Sequence, residues 1–444
     1  MMPYLAESRT GQIALRFPVV VTPEAHRVRR TYIVLTLLST LASSFIWGIN
    51  TLFLLDAGLN NAQAFAVNAF FTAGTFLFEV PTGIIADTRG RRLSYLLGAG
   101  TLLVSTLLYL LMWETQAPIW GWAIASILLG LGFTFFSGAT EAWLVDALNA
   151  TGFTGPLEGV FARAQVVAGG AMLVGTVAGG YVAQVTNLGV PYIVRAVILG
   201  ITLLVAMLTM RDIGFTPVRS KDLRAEVAAV FKGAVDAGWR NPPVRWLMLS
   251  SPFISGVGFY AFYAMQPYLL ELYGDSSAFG IAGLAAAVMA GAQIIGGLVV
   301  PWVRRFFKRR TQLLLVATVM SVAFIALVGL IPNFYLSLGF FVLWAMLFAL
   351  STPVRQAFIN GCIPSDQRAT VLSFDSLLGS AGGIVTQPVL GRVADVQGYP
   401  ASYVVSAGIY ALSIPFMWLA KRGDAPGDYV GTEPSGRLAP KTAH

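Results

Sequence analysis

The stretch GIIADTRGRR, Gly83 to Arg92, is a compact charged turn set between two long apolar runs. Its setting decides the fold class. Hydrophobic residues make up 56% of the 444-residue chain and charged residues 11%, where a water-soluble domain has about 25% charged. Crossing a bilayer takes about 20 mostly apolar residues per helix. The apolar runs predict twelve such helices, over 31–55, 62–86, 93–113, 119–146, 160–184, 190–210, 245–271, 278–303, 311–331, 335–360, 369–395 and 400–420. The turn joins spans 2 and 3.

The net charge of +8 is placed to orient the protein, not to bind nucleic acid. Arg163, Arg195, Arg355 and Arg392 lie within or beside spans. The other Lys and Arg residues fall in or at the edge of the N-terminal arm, the loops after even-numbered spans, and the tail. This asymmetry is the positive-inside signal and predicts that both termini are cytoplasmic. Residues 1–30 lack the continuous apolar core of a signal peptide, being interrupted by Arg16, Pro18, Pro23 and Arg27; they read as a loosely ordered basic arm. A single cysteine, Cys362, excludes an internal disulfide. His26 and His444, both near chain ends, argue against a histidine metal site. There is no Gly-Lys dipeptide, hence no Walker-type phosphate loop, and neither enzyme chemistry nor a cofactor is expected.

The spans form two sets of six, 31–210 and 245–420, joined by 211–244 and followed by a tail over 421–444 that reads as disordered. In the joining segment Leu223, Val227, Phe231 and Ala234 recur at helical spacing and predict an amphipathic helix on the inner membrane surface. A shift of 214 residues places Gly83 on Gly297. The charged turn then has a degenerate counterpart in 303–310, in which Pro301 stands where Asp87 would.

The pattern Gly83-x3-Asp87-x2-Gly90-Arg91-Arg92, with the phrases FEVPTGIIADTRGRR, SGATEAWLVDAL and IPSDQRATVLSFDSL, resembles a bacterial efflux branch of the Major Facilitator Superfamily. The resemblance covers nearly the whole chain. It implies an all-α integral membrane protein with two six-helix bundles related by pseudo-two-fold symmetry, and a substrate site between them near the midplane. It implies further that Gly83 allows close helix contact and that Asp87 faces the N-terminus of span 11 near Arg368. Arg91 then pairs with Asp146, and the turn, with Gly90 and Arg92, latches the inner gate. Two departures stand against drug–proton antiport of the usual kind. Span 4 has Leu128-Leu129-Gly130-Leu131-Gly132 in place of an Arg-Gln-Gly motif, and span 5 has Thr176 where a Gly-Pro step is usual.

Several residues inside spans carry chemistry. Glu79 lies about 12 Å inside the membrane edge by helical rise, and Glu141 lies at similar depth on span 4. A charge at the bilayer centre costs about 2.5–3.5 kcal/mol on insertion scales, so such residues face a cavity, and either one suits a proton carrier; packing against a neighbouring helix is the plainer alternative. Asp375 is a third candidate. Arg355 is the repeat partner of Glu141 under the 214-residue shift and, with Gln356, is positioned to pair with Glu141 or to clamp an anionic substrate; a buried arginine fixing backbone carbonyls beside Pro353, with Asp375 as its neighbour, is the plainer alternative. Phe259, Phe262, Tyr263 and Gln266 share one face of span 7, and Trp47 and Asn50 are the corresponding cavity candidates on span 1. Arg195 and Arg392, near helix ends, are expected to snorkel to the headgroups.

The residues predict a secondary transporter surrounded by lipid, and the resemblance implies that it is a monomer in a bacterial inner membrane. Its expected partners are protons and a small amphiphilic substrate moved outward as an antiporter. A facilitator or uptake carrier for a polar solute is the alternative within transport. A membrane receptor that retains the fold without transporting is the alternative outside it.

Overall fold

A computed structural model describes residues 4–7, 13–16, 22–217, 228, 232 and 234–429. Among these described residues, eleven apolar helical stretches are long enough to cross a membrane, and the last of them, Thr370–Arg422, holds two crossings. Gly398, at φ 82°, breaks it, a backbone conformation that L side chains rarely adopt. Span 11 therefore runs from Arg368 to Gly398, and span 12 follows and ends with Ser413–Arg422. The twelve-span expectation stands.

The first bundle comprises span 1 (Pro23–Trp47, continued by Asn50–Asp56), span 2 (Asn61–Arg89), span 3 (Arg91–Glu114), span 4 (Ile119–Phe136 and Ala139–Ala150), span 5 (Leu157–Val185) and span 6 (Gly189–Thr209). The second has span 7 (Pro242–Tyr273), span 8 (Phe279–Leu298), span 9 (Arg310–Leu330), span 10 (Phe334–Cys362) and the two just described. Span 1 starts earlier than its hydropathy suggests. Thr22 accepts the Ala25 N–H at 3.1 Å and Pro23 occupies the first helical position, a strong N-terminal signal. Ahead of it, Tyr4–Glu7 and Ile13–Arg16 pair as an antiparallel hairpin where an irregular arm is expected. Of the amphipathic helix expected in the joining segment, Leu223, Val227 and Phe231 lie outside the described residues, and Ala234–Trp239 forms a short π-helical turn.

Spans 2 and 11 pack together across the two bundles, as do spans 5 and 8. We call the membrane face with the Asp87–Arg92 turn the turn face, and its opposite the far face. Among the described residues the hydrophobic core falls into four clusters, and their membership is asymmetric. On the far side, one cluster joins Leu270, Ala278 and Ala282 to first-bundle residues such as Phe53 and Trp122. A second joins Phe65 to Tyr260, Phe341 and Tyr403 of the second bundle. On the turn side each cluster stays within its own bundle. The bundles are thus welded at the far face and separate at the turn face.

Each bundle closes with the same device. Three residues beyond span 6, the Asp212 carboxylate accepts the Arg92 N–H at 2.8 Å at the start of span 3. Beyond span 12, Asp428 accepts the Thr311 N–H at 2.8 Å and the Thr311 hydroxyl at 2.7 Å at the start of span 9. A carboxylate there satisfies orphan amides and meets the positive helix end. This corrects the expected disorder of the tail for its first part. Asp424 pairs with Arg309 at 2.6 Å and the Gly427 carbonyl accepts from Arg310, so the basic 303–310 segment holds the chain as far as Tyr429.

Candidate functional site between the bundles

A cavity of about 380 Å³ lies between the bundles, with spans 1, 2, 5, 7, 8 and 10 among its walls. Trp47, Asn50, Phe259 and Tyr263 all line it, as the sequence suggests. The break in span 1 at Gly48–Ile49 shapes the floor. A Cβ at Gly48 would stand 2.9 Å from the Gly283 Cα, so only glycine permits this approach of span 1 to span 8. Trp47 is 38% exposed and tilts against Phe262 with centroids 5.7 Å apart.

Gln266 does not line the cavity. It is fully buried, its Nε2 donating to the Trp47 carbonyl at 2.8 Å and its Oε1 accepting the Thr51 N–H at 2.9 Å. The amide fills the hydrogen-bonding capacity left open where span 1 breaks, and so bonds the two bundles. Further cross-bundle bonds lie on the same side. Asp395 accepts from Asn61 and Ala62, Tyr399 donates to Asn61, and the Gln184 Oε1 accepts the Gly280 N–H at 2.9 Å. Among the described residues no hydrogen bond or ion pair joins the bundles at the turn face.

The charged turn is built by Gly90, at φ 116°. A Cβ there would fall 2.5 Å from the Asp212 carboxylate. Arg91 donates to Asp87 at 2.6 Å, and its Nε lies 3.9 Å from Asp146. Arg92 donates to the Met207 carbonyl at 3.0 Å. Asp87 is half exposed and turned to Arg91 rather than to the start of span 11. Gly83, expected in a tight helix contact, faces open space, with nothing within 4 Å of the Cβ position. Both departures follow from the separation of the bundles at this face.

Glu79 accepts a hydrogen bond at 2.8 Å from Ser137, in the break of span 4. Gly138, at φ 67°, starts a new helix there, and Glu141 falls in its first turn, where the helix dipole favours a carboxylate. Glu141 is exposed and has no hydrogen-bond or ion-pair partner among the described residues. Arg355 does not face it. Its Nε and Nη2 donate to Asp375 at 2.9 and 2.6 Å, its Nη1 to Ser250 at 3.1 Å, and its Nη2 also to the Leu247 carbonyl at 2.6 Å. With Gln356, this pair lines a second cavity of about 330 Å³ within the second bundle.

Arg195 requires a correction. Instead of snorkelling it is 2% exposed and lines the central cavity. Span 6 lies between spans 1 and 3, and Arg195 Nε donates to Thr106 at 3.0 Å, with Nη1 donating to the Ala42 carbonyl at 3.4 Å. The signal was present in the sequence. Tyr192, Arg195, Leu199, Thr202 and Ala206 share the buried face of span 6, while Ile193, Val197, Ile201, Leu204 and Leu208 face outward. Arg392 is exposed, near the end of its span.

The Major Facilitator Superfamily model matches residues 32–328 and 253–442, and the chain belongs to this family. It is therefore a multi-pass membrane transporter and not an enzyme. No protein with curated annotation matches it by sequence. Among solved structures it is similar to the nucleoside transporter NupG, with TM-score 0.75 and 11% identity over 88% of this chain and 98% of that one. It is also similar to a bacterial homolog of the human lysosomal transporter Spinster, in an inward-facing and unoccupied conformation, with TM-score 0.68 and 15% identity over 93% and 100% of the two chains. A POT family transporter in complex with a thioalcohol-conjugated peptide gives TM-score 0.66 and 11% identity over 88% and 94%. At these identities the likeness is one of fold.

Proposed function

We propose that this transporter carries small amphiphilic compounds out of a bacterial cell by alternating access, with protons moving inward in exchange. The observation that carries the reading is the central cavity, aromatic-walled, placed between two bundles that are joined on one side of it and separate on the other. A large apolar pocket with a few convergent polar groups is the usual form of a small-molecule site. With the termini cytoplasmic, the turn face is the inner face and the cavity loads from the cytoplasm.

Glu141 and Glu79 are the proton carriers in this scheme. Glu141 is exposed on the unsealed side, and among the described residues the Glu79 carboxylate is tied to a single hydroxyl, one that can donate or accept. Asp375 is the poorer choice, because two nitrogens of Arg355 and the Ser251 hydroxyl already occupy its oxygens. A proton crossing a force of about 150 mV yields roughly 3.5 kcal/mol. At about 1.4 kcal/mol per tenfold, one proton per cycle sustains a gradient of roughly a few hundredfold.

The test is reconstitution into vesicles loaded with a pH-sensitive dye, with anionic, neutral and cationic amphiphiles added in turn. The reading predicts that at least one compound drives proton movement, and that Glu141→Gln stops this while sparing substrate–substrate exchange. Substrate flux with no proton movement, or full proton coupling in the Glu79→Gln/Glu141→Gln double variant, refutes the coupling.

A further inference from the structure

Among the described residues that line the central cavity, Arg195 is the one with a formal charge, and none is Asp, Glu or Lys. Its hydrogen-bond acceptors, the Thr106 hydroxyl and the Ala42 carbonyl, are both neutral, and its Nη2 is buried with no partner. A guanidinium stays protonated in proteins, and buried charges are ordinarily paired. Here a full positive charge sits in the first bundle with no counter-ion among the described residues.

A second unpartnered donor stands in the same wall. Tyr192 donates to Asn50 Oδ1 at 2.9 Å, and Asn50 Nδ2 donates to Asn68 Oδ1 at 2.8 Å. This relay fixes Asn68 with its amide oxygen used and its Nδ2 buried without a partner. Both groups are donors, one of them charged, and Trp47, Phe133 and Phe262 supply an apolar surround.

From this geometry we infer that the central cavity binds an amphipathic monoanion, its carboxylate held by Arg195 and Asn68 and its apolar body held among the aromatic rings. A carboxylate accepts from a guanidinium and an amide at once, and such charge-assisted bonds are the strong ones. One arginine neutralises one negative charge, so a dianion such as a phosphate monoester would leave a charge buried and unpaired. An ammonium would face Arg195 directly. The inference rests on the reading of this cavity as the transport site, and it narrows the substrate from amphiphiles in general to anionic ones.

Calorimetric titration of the full chain in lipid nanodiscs at neutral pH tests it, with 4-phenylbutanoate, 4-phenylbutanamide and 4-phenylbutylammonium as matched probes. The carboxylate is expected to bind about tenfold or more tighter than the amide, with the ammonium weakest. Arg195→Gln should erase the preference and Arg195→Lys should retain part of it. If Arg195→Gln does not fold, Asn68→Ala should lessen the preference while leaving the Arg195 bonds to Thr106 and Ala42 in place. Equal binding of carboxylate and amide, preference for the ammonium, failure of all three probes to bind, or an undiminished preference in these variants overturns the inference. The vesicle assay separates its failure from that of the wider reading. If neutral or cationic amphiphiles are carried and carboxylates do not compete, the anion inference falls and the transport reading stands. If no amphiphile of any charge is carried, both fall.

Discussion

The Asp395 carboxylate, at the far end of span 11, accepts the Asn61 and Ala62 N–H groups at 2.9 Å each, capping the N-terminus of span 2 across the boundary between bundles. This is the arrangement the sequence led us to expect of Asp87 at the opposite end of the same helix pair. Spans 2 and 11 run antiparallel, so each end of the pair offers a helix N-terminus to a carboxylate on its partner. In this conformation only the far end is engaged. Helix caps contribute about 0.5–2 kcal/mol, so Asp395→Ala should raise the population open at the far face by about 2- to 30-fold. Spin labels at Glu114 and Tyr335, both exposed at that face, should then show a longer distance component in electron resonance. An unchanged distribution would mean that Asp395 does not hold the gate.

The turn should behave as the complementary latch. The Asp87–Arg91 pair is an i,i+4 contact with Asp87 half exposed, and such pairs are worth about 0.3–0.5 kcal/mol. Asp87→Asn should therefore leave expression and melting nearly unchanged while cutting transport. A wild-type transport rate in that variant would remove the latch.

Gly83 separates closure from stability. With nothing within 4 Å of its Cβ position in this conformation, Gly83→Leu should shift stability by no more than about 0.5 kcal/mol. It should block the approach of span 11 when the turn face closes, lowering transport about tenfold or more. Full activity would show that the bundles never meet at Gly83.

Arg355 and Asp375 give a stability prediction. Their side chains are 15% and 13% exposed, and removing one partner of such a pair costs about 3–5 kcal/mol because the other is left buried and unpaired. Arg355→Met should lower the melting temperature strongly, and adding Asp375→Leu should recover most of the loss. If the double variant melts no higher than the single one, the pair does more than balance charge.

The fold was legible because its signals are local and long. Apolar runs, the Asp87–Arg92 turn and the arginine asymmetry each survive errors of several residues at span ends. The site was legible only where residue type and helix face coincide, as at Trp47, Asn50, Phe259 and Tyr263. It was obscured where a side chain's role depends on a partner from a distant segment. Gln266 lies on the expected face of span 7, yet its amide is taken up by the broken backbone of span 1. Arg195 was read from its nearness to a helix end, but that distance says nothing of which way the residue points. The alternation of polar and aliphatic faces along span 6 carried that information. Asp395 gave no sign at all, since its role exists only when span 2 stands beside it.

Labelling of a cavity cysteine from each side of the membrane tests whether the two faces open in turn onto this cavity. Ser43 lines the central cavity, and Ser43→Cys in a Cys362→Ser background provides a single reporter. In vesicles of defined orientation it should react with an impermeant maleimide from the turn face in the resting protein. Gly83→Leu should sustain that reactivity, and Asp395→Ala should add reactivity from the far face. Reaction from one face only, whatever the variant or added substrate, would contradict alternating access through this cavity.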